Sequence, residues 1–144
     1  MNGMVPFIEL TFHKGLNYEK SKIKVKAIQN ELVKAVTVND TKEIKHLIDK
    51  GADVNGQNKY GMTPLLTAVS YSCVESVKLL LELGADPNLG VECYVDYGYK
   101  LPTYDTPLHF AKWGADSSVP KIADDHIQMV KLLEQYGAVE QTEI

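Results

Sequence analysis

The chain contains no arginine; all 15 of its lysine-or-arginine positions are lysine. Bidentate reading of phosphate or guanine depends on the guanidinium fork. With a net charge of −4, nucleic acid is therefore not an expected partner. Only two cysteines occur, Cys73 and Cys93, without CxxC or Cys/His ligand spacing. That excludes a disulfide framework or a zinc ribbon and predicts reduced thiols in a cytoplasmic protein. No apolar run approaches a membrane span, and Glu9 interrupts the apolar residues near the N-terminus. Neither a secretory signal nor a membrane partner is expected. Phosphate loops, zinc spacings and serine elbows are also missing, so no cofactor, metal or catalytic residue is predicted. A Cys-dependent hydrolase, the contrasting enzyme class, would need an activated thiolate, and neither cysteine has a motif of that kind. Asp124-Asp125-His126 is explained more simply by helix capping than by metal binding. The expectation is a protein that is not an enzyme.

What is present is a repeat. Gly51-Ala52-Asp53-Val54-Asn55 returns 33 residues later as Gly84-Ala85-Asp86-Pro87-Asn88, and such self-similarity is the signature of a stacked array. Between the copies, Thr63-Pro64-Leu65 begins a helical pattern. A threonine oxygen can accept an orphan N–H there, and proline at the first helical position loses only an unneeded donor. A second run (Val77, Leu79, Leu80, Leu81) ends at Gly84, where a left-handed C-terminal residue is easiest without Cβ. These residues resemble the ankyrin repeat. The resemblance implies an all-α solenoid of about three helix-turn-helix repeats, approximately 28–55, 56–88 and 89–140, within a domain 28–144. Residues 1–27 form a non-repeat extension, for which Ile8, Leu10 and Phe12 alternating with polar residues predict a strand or hairpin. Gly15 and Asn17 read as its turn.

The repeats are unequal. The first lacks a Thr-Pro start, with Leu32 and Ala35 lying 33 residues before Leu65 and Ala68. Asn39 suits a left-handed turn, and Asp40 or Thr41 a cap. In the second, Leu66 replaces the motif histidine, and Ser72-Cys73 replaces the usual Gly-His, so irregular loop ends are expected. The third, Thr106-Pro107-Leu108-His109, starts 43 residues after Thr63 and reaches Gly137 after 31 rather than 21 residues. One insertion therefore falls within 89–105 and another within 114–125, with a second helix predicted from Ile127 to Tyr136. The resemblance gives His109 a structural role, bonding loop backbone, and places His126 in the inter-helix histidine slot. Glu134 takes the place of Ile48 and Leu81 on a final outer face.

The resemblance implies protein–protein recognition through hairpin tips and the exposed side of the first helices. Candidate binding residues are Tyr60, Tyr71, Glu92, Tyr94, Asp96, Tyr97, Tyr99, Tyr104, Asp105 and Trp113. Tyrosine offers large contact area at low entropic cost, although the insertion tyrosines can equally fold down on the stack. Trp113 reads either as an interface anchor or as packing beneath the second insertion. Residues 1–50 carry nine lysines against six acids, a balance of +3, and residues 51–144 carry six against thirteen, a balance of −7. The acidic part predicts a partner with a basic patch, steered by charge, and a monomer when free. The chain is also similar to small immunity proteins that neutralise a cognate toxin or enzyme. An intracellular adaptor or regulatory subunit is the alternative.

Overall fold

The computed structural model of the chain describes residues 5–93 and 103–140, with side chains from Glu19 onward apart from positions 93 and 103. The helices are α1 (Val5–Thr37), α2 (Thr41–Asp49), α3 (Pro64–Ser70), α4 (Val74–Glu82), α5 (Pro107–Ala115) and α6 (Pro120–Gln135). Strands β1 (Val91–Cys93) and β2 (Thr103–Asp105) form an antiparallel pair between α4 and α5. Three antiparallel helix pairs stack side by side: α1, α3 and α5 form one row, and α2, α4 and α6 the other. The core lies between the rows and includes Leu32, Val36, Ile44, Leu65, Leu80 and Met129, all fully buried. Each such side chain contributes about 1.5–3 kcal/mol over exposure.

Local chemistry fixes the ends of these helices. Thr63 and Thr106 accept the amides of Leu66 and His109 at 3.1 and 3.3 Å, each followed by a proline that starts the helix. Asp40 caps α2 by accepting from Glu43 N at 3.1 Å. Beyond α2, α4 and α6, Gly51, Gly84 and Gly137 have φ of 106°, 95° and 94°, a region that side chains with Cβ avoid. Asn39 and Ser72 adopt φ of 57° and 58° in the α1–α2 and α3–α4 turns. Asparagine tolerates this geometry, whereas serine in the usual glycine slot does not do so freely.

The repeated pentapeptide holds successive repeats together. Asn55 Oδ1 accepts from Asp86 N at 2.8 Å, and Asn88 Oδ1 accepts from Val139 N at 2.9 Å. The equivalent amide of the first repeat is Asp53 N, which bonds α1 instead. Gln29 of α1 supplies the side-chain amide: its Oε1 accepts from Asp53 N at 3.0 Å while Nε2 donates to Asp53 O at 2.8 Å. A second tie joins the turns. Cys73 makes no side-chain cap for α4, and Asn39 Oδ1 does so from the neighbouring turn, accepting from Ser76 N at 3.1 Å and from Ser76 Oγ at 2.6 Å.

Two expectations fail. No strand or hairpin forms at the N-terminus, because α1 runs unbroken through Gly15 and Asn17 for 33 residues, about 50 Å at 1.5 Å per residue. Its lysine, glutamate and alanine residues are good helix formers, and the packed turns from Ile28 onward give the helix its nucleus. The second helix of the third pair starts at Pro120 rather than Ile127. α5 has 9 residues to the 7 of α3, and α6 has 16 to the 9 of α4. The second insertion is thus mostly helix, and Lys121 and Asp125 support the added turns with a 2.8 Å ion pair.

Candidate functional site

Large aromatic side chains stand outside a packed stack. Trp113 is 71% exposed, Tyr60 70%, Tyr71 62% and Tyr104 42%. Trp113 therefore does not pack beneath the second insertion. It stands near the C-terminal end of α5, where it borders an open groove of about 500 Å³ with Ser70, Phe110, Asp116 and Ile122. Tyr71 ends α3 on the same row of helices. Tyr94, Asp96, Tyr97 and Tyr99 lie outside the described residues.

Close backbone packing shapes the groove. Gly114 leaves room for His126, since a Cβ on Gly114 would lie 2.1 Å from the imidazole Cδ2. His126 is buried within α6, not in the inter-helix turn expected for it, and its Nδ1–H donates to Ile122 O at 2.9 Å. With Asp125 paired to Lys121, the Asp124-Asp125-His126 run does not converge. Among the described residues no group of three His, Cys, Asp or Glu side chains is placed to hold a metal ion.

A second cleft, of about 380 Å³, separates the 58–62 turn from the β1–β2 hairpin. Asn58 Oδ1 accepts from Tyr60 N at 2.9 Å and from Met62 N at 3.0 Å, which fixes the turn carrying Tyr60. Across it, the Tyr104 hydroxyl accepts from Gly90 N at 2.8 Å. Glu92 pairs with Tyr104 and Val91 with Asp105 in the strand register. Because side chains alternate between faces, Glu92 and Tyr104 share the outward face while Val91 and Asp105 face the stack. Val91 is accordingly buried and Glu92 exposed.

Asp105 belongs to a different arrangement from Glu92. Its side chain is only 13% exposed, and its carboxylate engages His109 Nδ1. Among the described residues, His109 thus bonds a carboxylate four residues back rather than the loop backbone expected of it. The Gly90–Tyr104 bond is not visible from residue types alone, because it depends on how the hairpin closes, whereas the Asp105–His109 pair is a local contact four residues apart.

Cys73 is buried, and burial pushes its thiol pKa up. That is the opposite of what a nucleophilic thiolate needs. No described helix is long and apolar enough to cross a membrane.

The family model described as ankyrin repeats (3 copies) matches residues 2–90 of the chain. With its stacked helix pairs and hairpin connections, the chain belongs to the ankyrin-repeat family. It is similar to the ankyrin repeat, SAM and basic leucine zipper domain-containing protein 1 of Oryctolagus cuniculus, 45% identical over 53 residues, covering 37% of this chain and 11% of that one. It is also similar to the mitochondrial disaggregase of Bos taurus, 41% identical over 59 residues, or 41% of this chain and 9% of that protein. An ankyrin repeat protein of Acanthamoeba polyphaga mimivirus is 50% identical over 46 residues, 32% of this chain and 28% of that one. The match thus spans about a tenth of the first two relatives and about a quarter of the third. Ankyrin repeats are a protein–protein interaction module, and that coarse function follows from membership.

Proposed function

We propose that the chain is a non-enzymatic binding module that captures another protein through its exposed aromatic residues. One observation carries this reading. Tyr60, Tyr71 and Trp113 are each more than 60% exposed, the most exposed aromatic side chains among the described residues. Tyrosine and tryptophan dominate the binding energy of interfaces because they bury much area with few rotors. The balance of −7 over residues 51–144 favours a partner with a basic patch, approached by electrostatic steering. Glu92 extends this surface at the hairpin. Tyr94, Asp96, Tyr97 and Tyr99 join the proposal by their place in the hairpin insertion.

The effect on the partner is inhibition, as with an immunity protein that blocks a toxin or enzyme. An acidic, aromatic surface suits the blocking of a cationic active-site rim. An adaptor or regulatory role is the alternative, and it predicts a ternary complex in which the partner stays active. Capture from the native host with the chain as bait, followed by titration calorimetry with the identified partner, tests the reading. Trp113→Ala and Tyr71→Ala should each weaken the complex by about 2 kcal/mol, the hot-spot range, without lowering the unfolding midpoint. Unchanged affinity in both variants would remove this surface from the interface.

A further inference from the structure

The cleft beside the β1–β2 hairpin has a chemistry of its own. It is bordered by Tyr60, Tyr104 and Glu92, with Gly61, Gly90 and Val91 among its other lining residues. Two aromatic rings and one carboxylate thus face a space of about 380 Å³, and no cationic side chain lines it among the described residues. Glu92 and Tyr104 are direct cross-strand partners, which places their Cβ atoms about 4.5–5.5 Å apart on one face.

These walls are pre-set. Asn58 clamps the turn bearing Tyr60 through two amide bonds. Gly90 N–H holds the Tyr104 hydroxyl at 2.8 Å, and a Cβ on Gly90 would lie 2.4 Å from Asp105 O, so the strands close this tightly only around glycine. A ligand entering such a site loses little to ordering it. The Tyr60 ring already accepts an ammonium: Lys59 Nζ lies 4.9 Å from its centroid, within cation–π range. Lys59 itself is not a wall of the cleft.

The geometry points to a subsite for a basic side chain, lysine or arginine, of the protein partner. The rings of Tyr60 and Tyr104 receive the cation and its aliphatic stem, and Glu92 neutralises the charge. This rests on the proposed protein-binding function and gives its partner a specific contact. Lys59 acts as an internal competitor for the Tyr60 ring.

The test uses the ¹⁵N-labelled chain titrated with N-acetyl-lysine amide or N-acetyl-arginine amide, with N-acetyl-norleucine amide as the neutral control. Both cations should shift the amides of Tyr60, Gly61, Glu92 and Tyr104 saturably, with Kd on the order of millimolar, as befits one small contact. Glu92→Gln and Tyr60→Leu should each weaken this by about threefold, and Lys59→Gln should strengthen it by about twofold, as expected for exposed cation–π and ion-pair contacts. Dispersed spectra report that each variant is folded. Equal shifts with norleucine amide, or no shifts with either cation, would overturn the subsite. If those results appear while Trp113→Ala still weakens the partner complex, the subsite fails and the recognition surface stands. If the cations bind as expected while Trp113→Ala and Tyr71→Ala leave the complex intact, the wider surface fails and the subsite stands.

Discussion

Asn39 joins the first two repeats at one side chain, and replacing it by alanine should cost more than its surface position suggests. The residue holds φ at 57°, which costs a side chain with Cβ about 1–2 kcal/mol, less for asparagine. Its Oδ1 caps α4 through Ser76 N, a service worth about 1 kcal/mol. It also accepts from Ser76 Oγ, whose residue is fully buried, and an orphaned hydroxyl there costs about 1–3 kcal/mol. These terms overlap, so Asn39→Ala should destabilise by about 3 kcal/mol, at the upper end of ordinary single substitutions. Asn39→Gly keeps the turn and loses both bonds, and should cost about 2 kcal/mol by the same reasoning. Urea unfolding followed by far-UV circular dichroism gives both values. A double-mutant cycle with Ser76→Ala should return a coupling of about 1 kcal/mol. Additive effects, or an Asn39→Ala variant within about 0.5 kcal/mol of the parent, would refute the inter-repeat cap.

Ser72→Gly should raise stability by about 1 kcal/mol, because φ of 58° suits glycine; a lowered urea midpoint would show that the serine side chain matters more than its backbone. Gly114→Ala should lower stability by about 1–3 kcal/mol, since its Cβ meets the buried His126 ring, and thermal unfolding measures it. Leu80→Ala, at a fully buried site, should cost about 2–5 kcal/mol, visible as a lower midpoint of a single cooperative transition. The pKa of Cys73 is higher folded than unfolded. Its stability contribution is therefore complete at neutral pH, below the unfolded pKa, and lost as pH rises through the folded value. Replacing Cys73 by alanine should flatten the alkaline fall in stability, and iodoacetamide labelling at position 73, followed by mass spectrometry, should be slower than in the unfolded chain.

The stack was largely legible in the residues. Thr63, Pro64, Thr106 and Pro107 mark helix starts by rules that act within one turn. Gly51, Gly84 and Gly137 mark ends, and Asn39 marks a left-handed turn, for the same local reason. The N-terminal helix was only partly legible, because Ile8, Leu10 and Phe12 alternate with the period of a strand, and the alternation of Ile23 and Val25 with lysines fits either a strand or the polar start of a helix. Only from Ile28 to Val36 does the helical period take over. The start of α6 escaped because Pro120-Lys121 precede its buried residues, and the first large buried side chains there are His126 and Met129.

At the candidate surface, the tyrosines and Trp113 could be named from composition and position, but their exposure could not. Strand register places the Glu92 carboxylate outward, while Asp105 meets His109 four residues on, at the start of α5. Gln29 taking the role that Asn55 and Asn88 play in the later repeats, and Asn39 capping α4, link residues 24 and 37 positions apart. Such pairings have no short-range signature.

Hydrogen exchange of the chain with and without its captured partner tests the central claim, recognition through the exposed aromatic face, most directly. Slowed exchange should appear in the 58–62 turn, in β1 and β2, and around Phe110 to Ser117. The exposed sides of α2 and α4 should exchange as in the free chain. Protection confined to α2, α4 and α6, with the aromatic segments unchanged, would contradict the account and place the binding surface on the opposite row of helices.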